Sequence, residues 1–500
     1  MKAHLLFRDR DVAAGVEPDA HVRALMKDLG LDLLVEAMAD GDSFLAGVAT
    51  QVITEPLDDP DAIRYRQAVL ADVLDHPEML RELYGRVVGT IEARRKLWGY
   101  SWSARHPRSV LSGARECLQL YAEHLRQLRA MADAWSAHVR SEGLTRLFTA
   151  LQEDLDDGYL RTLDRQLRRL RFPDGLLLSA GLAADLTGRD YVLRAPEQDR
   201  LGWRERLGIS ARTRFSFTLP ARDEGGVQAL DELCSYGVNE VANAAAQAAD
   251  HVGDYFALLR VELGFYLGCL NLAERLAAEQ MPRCWPQVGP NGDGVLSFDD
   301  LRDAALALQS DDPVVGTSAD ASGKSLVVVT GAHSGGKTTF LRSVGAAQLM
   351  AQSGMFVCAA DLRASVVTGV FTHFVREEDR SMTRGRLEEE LDRMRALVSR
   401  LRAGSLVLLN ESFHSTNERE GSEIARQVVR ALRESGNRVV VVTHQYDFAS
   451  SHLGEDGRTT LFLRAVLGPD GRADHRLVRG LPSSSAYGRE LYQEIFAQPA

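Results

Sequence analysis

The sequence predicts a mainly α-helical body with a small β-rich interruption, followed by an α/β domain built around a phosphate-binding loop. Three observations carry this. From position 56 to about 172 glycines are few, Leu, Arg and Glu are many, and apolar residues recur three or four apart, as on one helix face. SLVVVT (325–330), SLVLLN (405–410) and RVVVVT (438–443) are short Val/Leu-rich runs, each followed by a turn and a helical pattern. Such runs suit parallel strands covered on both faces. Directly after the first run stands TGAHSGGKTTF (330–340).

Taken in order, residues 1–55 predict short helices and 56–285 the helical body. Pro173-Asp174-Gly175 breaks that body. LLLSAGL (176–182), DYVLRAP (190–196) and TRFSFTLP (213–220) follow as strand-like pieces separated by turn residues, so 174–222 is the β-rich interruption. Helical pattern returns over 228–281. The Pro-, Gly- and Asp-rich stretch 282–323 predicts a boundary, and 286–500 the α/β domain. Within it, Leu387, Leu391, Met394, Val398 and Leu401 form one predicted helical stripe.

A chain of 500 residues exceeds one ordinary core, so about two to four domains are expected. Hydrophobic residues are 45% and charged residues 26%, as in soluble globular proteins. The five cysteines, Cys117, Cys234, Cys269, Cys284 and Cys358, form no C-x-x-C pair, which predicts reduced thiols in a cytoplasmic protein. The opening MKAHLLFRDRDVAAG is too short an apolar run for a signal peptide. The longest uncharged stretch, 343–360, contains glutamines and glycines and predicts a buried helix and strand, with no membrane span expected. A net charge of −11 disfavours a surface that is basic throughout, but leaves room for a local basic patch on DNA.

The loop fits G-x-x-x-x-G-K-T through Gly331, Gly336, Lys337 and Thr338, with a strand before it and a helix after it. Glycines let the backbone turn its N–H groups toward phosphates, and the helix N-terminus adds a favourable dipole. Lys337 would neutralise β/γ-phosphate charge, and Thr338 would offer its hydroxyl to Mg²⁺. Asn410-Glu411 closes the second apolar run. Its strand is expected beside the first, which would bring Glu411 near Mg²⁺ and the attacking water as base or positioning residue. His444 follows the third run, either as a γ-phosphate contact or as an exposed loop histidine.

These residues resemble the MutS family of ATPases. GAHSGGKTTFLRS is similar to that family's GPNMGGKSTYMRQ-type loop, and GMFVCAA (354–360) to its G-[SM]-[YF]-V-P-A strand. SLVLLNESFHSTNEREGSEIA (405–425) and VVVVTHQYDF (439–448) follow its next two segments. PLDDPDAIRYRQAVLADVL (56–74) resembles the opening of its helical core, and SAYGRELY (485–492) a late piece. The resemblance implies a homodimer with an ABC-type ATPase joined to a helical core and lever, with ATP sites completed across the dimer. By position, Gly331, Ala332, His333, Ser334, Gly335, Gly336, Lys337, Thr338 and Thr339 would bind phosphates of ATP, Glu411 would activate water, and His444 would be the switch histidine. Two departures stand out. The family's first acid, which holds a water on Mg²⁺, is Asn410 here. Its trans-acting serine aligns with Gly385, with Ser381 and Thr383 nearby. Only about fifty residues precede the matched core and they hold no F-x-E motif, so a short member without the mismatch-reading and connector domains is expected.

Arg161, Arg165, Arg168 and Arg169, with Arg171 beyond them, fall near one helix face. They either track DNA phosphates or form a solvated face paired with Asp156, Asp157 and Asp164. The expected function is accordingly a nucleotide-switched dimer on mismatched, branched or otherwise structured DNA, related to mismatch repair, with repair or recombination proteins as partners. An ATP-switched protein-interaction module and a nucleotide binder with little hydrolysis are the competing expectations.

Overall fold

The computed structural model describes residues 2–13, 15, 18–98, 106–173, 175–185, 187–194, 216–220, 222–332, 334–375, 385–454, 457–467 and 473–482. By packing, the chain divides into two compact units. One holds Met1–Ala3, Arg81–Val139 and Thr145–Arg260, and the other His4–Leu80, Arg140–Leu144 and Val261–Ala500. The units cut across the sequence boundaries at 55 and 285.

The first unit is helical. It contains most of Pro77–Trp98 and Glu142–Asp154, all of Pro107–Trp135 and Asp157–Arg169, and the larger part of Glu224–Ala278. Proline opens Pro107–Trp135, where its missing N–H costs nothing. Asp156 caps Asp157–Arg169 by accepting from Tyr159 N at 2.6 Å. Tyr121 stacks on Phe256, with ring centroids 5.5 Å apart, and Arg94 pairs with Asp250 at 2.9 Å. Leu111, Ala114, Val238, Ala242 and Ala245 form a separate buried cluster. Of the β-rich interruption, Leu177–Leu182 and Gly188–Arg194 pair as an antiparallel hairpin. Residues 216–220 of the third expected strand are irregular, and 213–215 lie outside the described residues.

The second unit carries two sheets. In the larger, the order is Ala473–Arg479, Thr460–Leu467, Leu326–Thr330, Arg438–Val442, Leu406–Asn410, Val370–Phe374. Five strands are parallel and Ala473–Arg479 is an antiparallel edge. The three predicted apolar runs are its centre and are buried almost throughout. The expectation that Leu406–Asn410 lies beside Leu326–Thr330 is corrected, because Arg438–Val442 sits between them.

The stretch 282–323, expected as a boundary, instead supplies Gln287–Gly289, Leu296–Leu301 and Thr317–Asp320 to a four-stranded mixed sheet completed by Asp361–Ser365. These strands are short, and the strand that joins the first two, Asp361–Ser365, lies far along the chain, so local patterning was silent. GMFVCAA is not a strand. The helix Lys337–Gln352 ends just before it, and Val357 makes only an isolated bridge to Cys284, although Met355 to Ala359 are all buried. The stripe on Arg386–Val398 is divided. Leu387, Met394 and Leu401 join the core with Leu397, while Leu391 and Val398 are exposed.

Helices Ala20–Leu29, Leu31–Ala39, Ser43–Thr54 and Pro60–Asp75 belong to this unit. Asp28 accepts from Thr372 Oγ1 at 2.7 Å and, through its carbonyl, from Arg342 Nε at 3.0 Å. A side chain at Gly345 would come within 2.6 Å of Leu408 and 2.7 Å of Leu29, so glycine lets Lys337–Gln352 lie close to both. Arg66, 1% exposed, donates to Leu6 O at 2.7 Å and lies over the Phe7 ring at 4.6 Å. Burial pushes its guanidinium down to about 10. One helix, Glu224–Ala278, contains a stretch long and apolar enough to cross a membrane by composition, but 67% of that stretch is buried within the protein.

At the end of Lys337–Gln352, the buried Gln352 side chain donates to Leu57 O (2.7 Å) and Val367 O (3.0 Å) and accepts from Val367 N (3.0 Å) and Gln348 Nε2 (2.7 Å). Gln352→Ala would leave these groups unpaired and should cost about 3 kcal/mol. The midpoint of denaturant unfolding reads this, and an unshifted midpoint would show that the network adds nothing.

Candidate functional site

The site lies where the central parallel strands end. Val442 is level with Val329 on one side and with Asn410 on the other. The next residues along each strand, Thr330, Thr443 and Glu411, therefore come together. Thr443 N donates to Val329 O at 3.1 Å and Glu411 N to Val442 O at 2.9 Å.

From Thr330 the chain enters the loop through Gly331, at φ +119°, where a Cβ would meet the Ala465 backbone within about 3 Å. Gly336, at φ +80°, opens the helix Lys337–Gln352 in a left-handed conformation that favours glycine. Lys337 is buried, and its Nζ donates to Gly331 O at 3.0 Å and Ala332 O at 2.5 Å. Burial pushes its pKa down, and the charge of Glu411 opposes that. Ser334 is exposed with φ +56°, and Gly335 and Ala332 are buried. His333 lies outside the described residues.

Asn410 Oδ1 accepts from the Thr338 hydroxyl at 3.3 Å. Glu411 Oε1 is 2.9 Å from His444 Nε2, so His444, 9% exposed, is no free loop histidine. The hydrogen bond from His444 holds the Glu411 carboxyl below its ordinary range, against the opposing effect of burial, with the charges of His444 and Lys337 assisting. Lys337, Thr338, Thr339, Glu411 and His444 line one cleft of about 380 Å³. Thr339 faces that cleft beside Thr338. Gly385 is elsewhere. It precedes Arg386–Val398, with open space around the position of a Cβ, while Ser381 and Thr383 lie outside the described residues.

Motif reasoning missed the rest of the cleft. Leu306, Pro313, Val314 and Val315 line it, as do Asp303, Asp312 and His475. The first six fall in the stretch taken for a boundary, and His475 enters from an edge strand with no motif of its own. Also missed was the turn Glu411–Ser412–Phe413. Glu411 and Phe413 both have positive φ, +52° and +63°. A non-glycine residue there costs about 1–2 kcal/mol.

An anionic, phosphate-bearing ligand fits this chemistry: a glycine loop at a helix N-terminus, a buried ammonium, and hydroxyls beside it. Among the described residues no group of three or more His, Cys, Asp or Glu side chains could hold a metal ion.

Residues 58–279 match the family model for the MutS2 N-terminal domain, and residues 327–465 match MutS domain V. The chain is 29% identical, over 51% of its length and 30% of the relative's, to the DNA mismatch repair protein MutS 2 of Haloarcula marismortui. It is 33% identical to the Endonuclease MutS2 of Thermomicrobium roseum over 32% of the chain and 20% of the relative. With the Endonuclease MutS2 of Thermus thermophilus it shares 29% identity over 32% of the chain and 21% of the relative. It therefore aligns with less than a third of the length of each of these relatives. The helical match, the domain V match and these relatives together show that the chain belongs to the MutS family.

Proposed function

We propose that this protein is a MutS-type ATPase of the phosphate-loop, ABC-like class, which hydrolyses ATP slowly and uses the nucleotide to switch a DNA-binding homodimer. One observation carries the reading. Lys337, Thr338, Glu411 and His444, which follow three strand ends, line one cleft, and Asn410 is joined to it by accepting from the Thr338 hydroxyl. In this reading the loop from Gly331 to Thr339 cradles the phosphates, and Lys337 leaves the Gly331 and Ala332 carbonyls to meet them. Mg²⁺, bound with the nucleotide, would neutralise charge on the transferred phosphoryl group. Thr338 would hold it directly and Asn410 through a water. Glu411 orients the attacking water and accepts its proton, and His444 keeps the Glu411 carboxylate ionised.

For DNA, the helix Asp157–Arg169 supports the basic alternative. The acids expected to pair with its arginines are engaged elsewhere: Asp164 with Arg126 at 2.7 Å and Asp157 with Arg129 at 2.6 Å, while Asp156 caps the helix. Arg161, Arg165, Arg168 and Arg169 are exposed and form no ion pair among the described residues. Exposed, unpaired guanidinium groups on one helix in a chain of net charge −11 are a local site for a polyanion.

Glu411→Ala should cut ATP turnover by about 100-fold or more while leaving nucleotide affinity nearly intact, because it removes only the group that handles water. A wild-type rate equal to that of this variant would overturn hydrolysis and leave a nucleotide binder. Asn410→Asp should lower the Mg²⁺ concentration for half-maximal turnover by about 10-fold or more, since support of this kind is worth about 10–100-fold in metal affinity. An unchanged Mg²⁺ titration would show that the amide is no handicap.

Replacing Arg161, Arg165, Arg168 and Arg169 by alanine should weaken duplex and branched DNA alike. It should also flatten the salt dependence by about 0.9 in log–log slope for each phosphate no longer neutralised, with DNA-free turnover unaltered. If affinity and slope stay at wild-type values, the switch acts on something other than DNA through this face.

A further inference from the structure

The turn after Leu406–Asn410 is held from outside by groups that no phosphate-loop motif contains. Phe413 N donates to Glu390 Oε2 at 2.7 Å. Glu390 is 5% exposed and sits on Arg386–Val398, the helix headed by Gly385. The same residue's carbonyl lies 3.1 Å from His373 Nε2. A carbonyl only accepts, so Nε2 carries a proton and His373 is oriented by Glu390. His373 Nδ1 then meets Ser412 Oγ at 2.7 Å, and the two rings of His373 and Phe413 stack at 5.6 Å. On the far side, Gln445 Nε2, next to His444, donates to Phe413 O at 3.3 Å. Gly421 packs against that carbonyl so closely that a Cβ would overlap it.

Two left-handed non-glycine residues, Glu411 and Phe413, therefore stand on either side of Ser412, and each is stable only if its neighbours over-determine it. Glu390 supplies the one carboxylate among those neighbours. We propose that Glu390 is a positioning residue for Glu411. Through the Phe413 amide its carboxylate fixes the turn that aims the Glu411 carboxylate into the cleft, and with the backbone carbonyl of the same residue on His373 it ties that aim to the position of the helix Arg386–Val398. A shift of that helix moves the Phe413 amide, and with it the backbone two residues from the Glu411 side chain. The inference rests on the reading of Glu411 as the residue that handles water. It leaves the phosphate loop, on a different strand end, outside the link.

The test compares Glu390→Gln, which keeps an oxygen to accept from Phe413 N–H, with Glu390→Ala, which does not. In Glu390→Ala, kcat should fall by about 100-fold, the cost of a small misplacement of a reacting group, while the Kd for a non-hydrolysable ATP analogue stays within about 2-fold. Glu390→Gln should retain most of the wild-type kcat. Independently of turnover, hydrogen exchange of the Phe413 amide should be slow in the wild type and in Glu390→Gln, and faster by about 10-fold or more in Glu390→Ala. Wild-type kcat with unchanged exchange in Glu390→Ala overturns the proposal. So does a Kd that worsens in step with kcat, which marks a general loss of structure, or a Glu390→Gln as damaged as the alanine variant. Should Glu390→Ala not fold, Glu390→Asp, one methylene shorter, gives the same readouts with the same expected direction. If the wild type itself turns over no faster than Glu411→Ala, the ATPase reading has failed, and the exchange measurement alone decides whether Glu390 sets the turn.

Discussion

The candidate site depends on one register. Val329, Val442 and Asn410 are level on three neighbouring parallel strands; Glu411 lines the cleft one residue beyond Asn410 and His444 two beyond Val442, while the loop that leads to Lys337 leaves from Thr330. Strands this apolar do not set their own register, because neither face is marked by polar alternation. The entry to the strands does. Ser405 N donates to the buried Asn437 side chain at 3.0 Å, Arg438 N to Ser405 O at 3.0 Å, and Gly404 N to Gly436 O at 3.0 Å. Asn437 is itself held by donating to Leu432 O at 3.2 Å. A slip by one residue would break all of these and would exchange the faces of Asn410 and Glu411. The polar end of the sheet opposite the cleft thus determines the geometry of the cleft.

A second set of buried polar contacts fixes the helix that follows the loop. Lys337–Gln352 is covered nearly all round, and a helix so enclosed has no wet face to orient it. Gln348 and Gln352 provide direction instead, through hydrogen bonds to Leu57, Ser365 and Val367 that a rotated helix could not make. Gly345 acts in the same sense by admitting Leu29 and Leu408 only at one rotation. The N-terminal helices thereby become part of the support of the loop that precedes Lys337, which is why packing places His4–Leu80 with the α/β residues.

What could be read from the chain, and what could not, follows from the range of the signals. The central strands and the long helices carry strong local periodicity, and the spacing of residues 330–340, 410–411 and 444 pointed to one shared place, where Lys337, Thr338, Glu411 and His444 do line one cleft. All of these were legible. The second sheet was not, because Gln287–Gly289 and Leu296–Leu301 pair with Asp361–Ser365, and short strands among turn residues look like a linker until the partner is known. The order of the large sheet was also hidden, since spacing along the chain does not say that a later strand inserts between two earlier ones. The pairing of Asp157 and Asp164 was out of reach for the same reason: their partners, Arg129 and Arg126, are on another helix. Glu390 gave no signal at all, being one acid in the run RLEEEL.

Asn410 changes the charge of the cleft more than its shape. Its amide oxygen still takes the Thr338 hydroxyl, so the loop and the second strand remain joined. A carboxylate at 410 would place a second negative charge one residue from Glu411, and neighbouring carboxylates raise each other's pKa. With an amide there, Glu411 is the only acid of the pair, and His444 and Lys337 both favour its ionised form. Lys337 in turn has Glu411 as the charge that offsets its burial. In the proposed reaction, an amide at 410 would weaken the hold on a cation while leaving the Glu411 carboxylate ionised. On that reading metal grip and water activation are separable, and only the first would be compromised, which is the physical basis for expecting slow turnover instead of none.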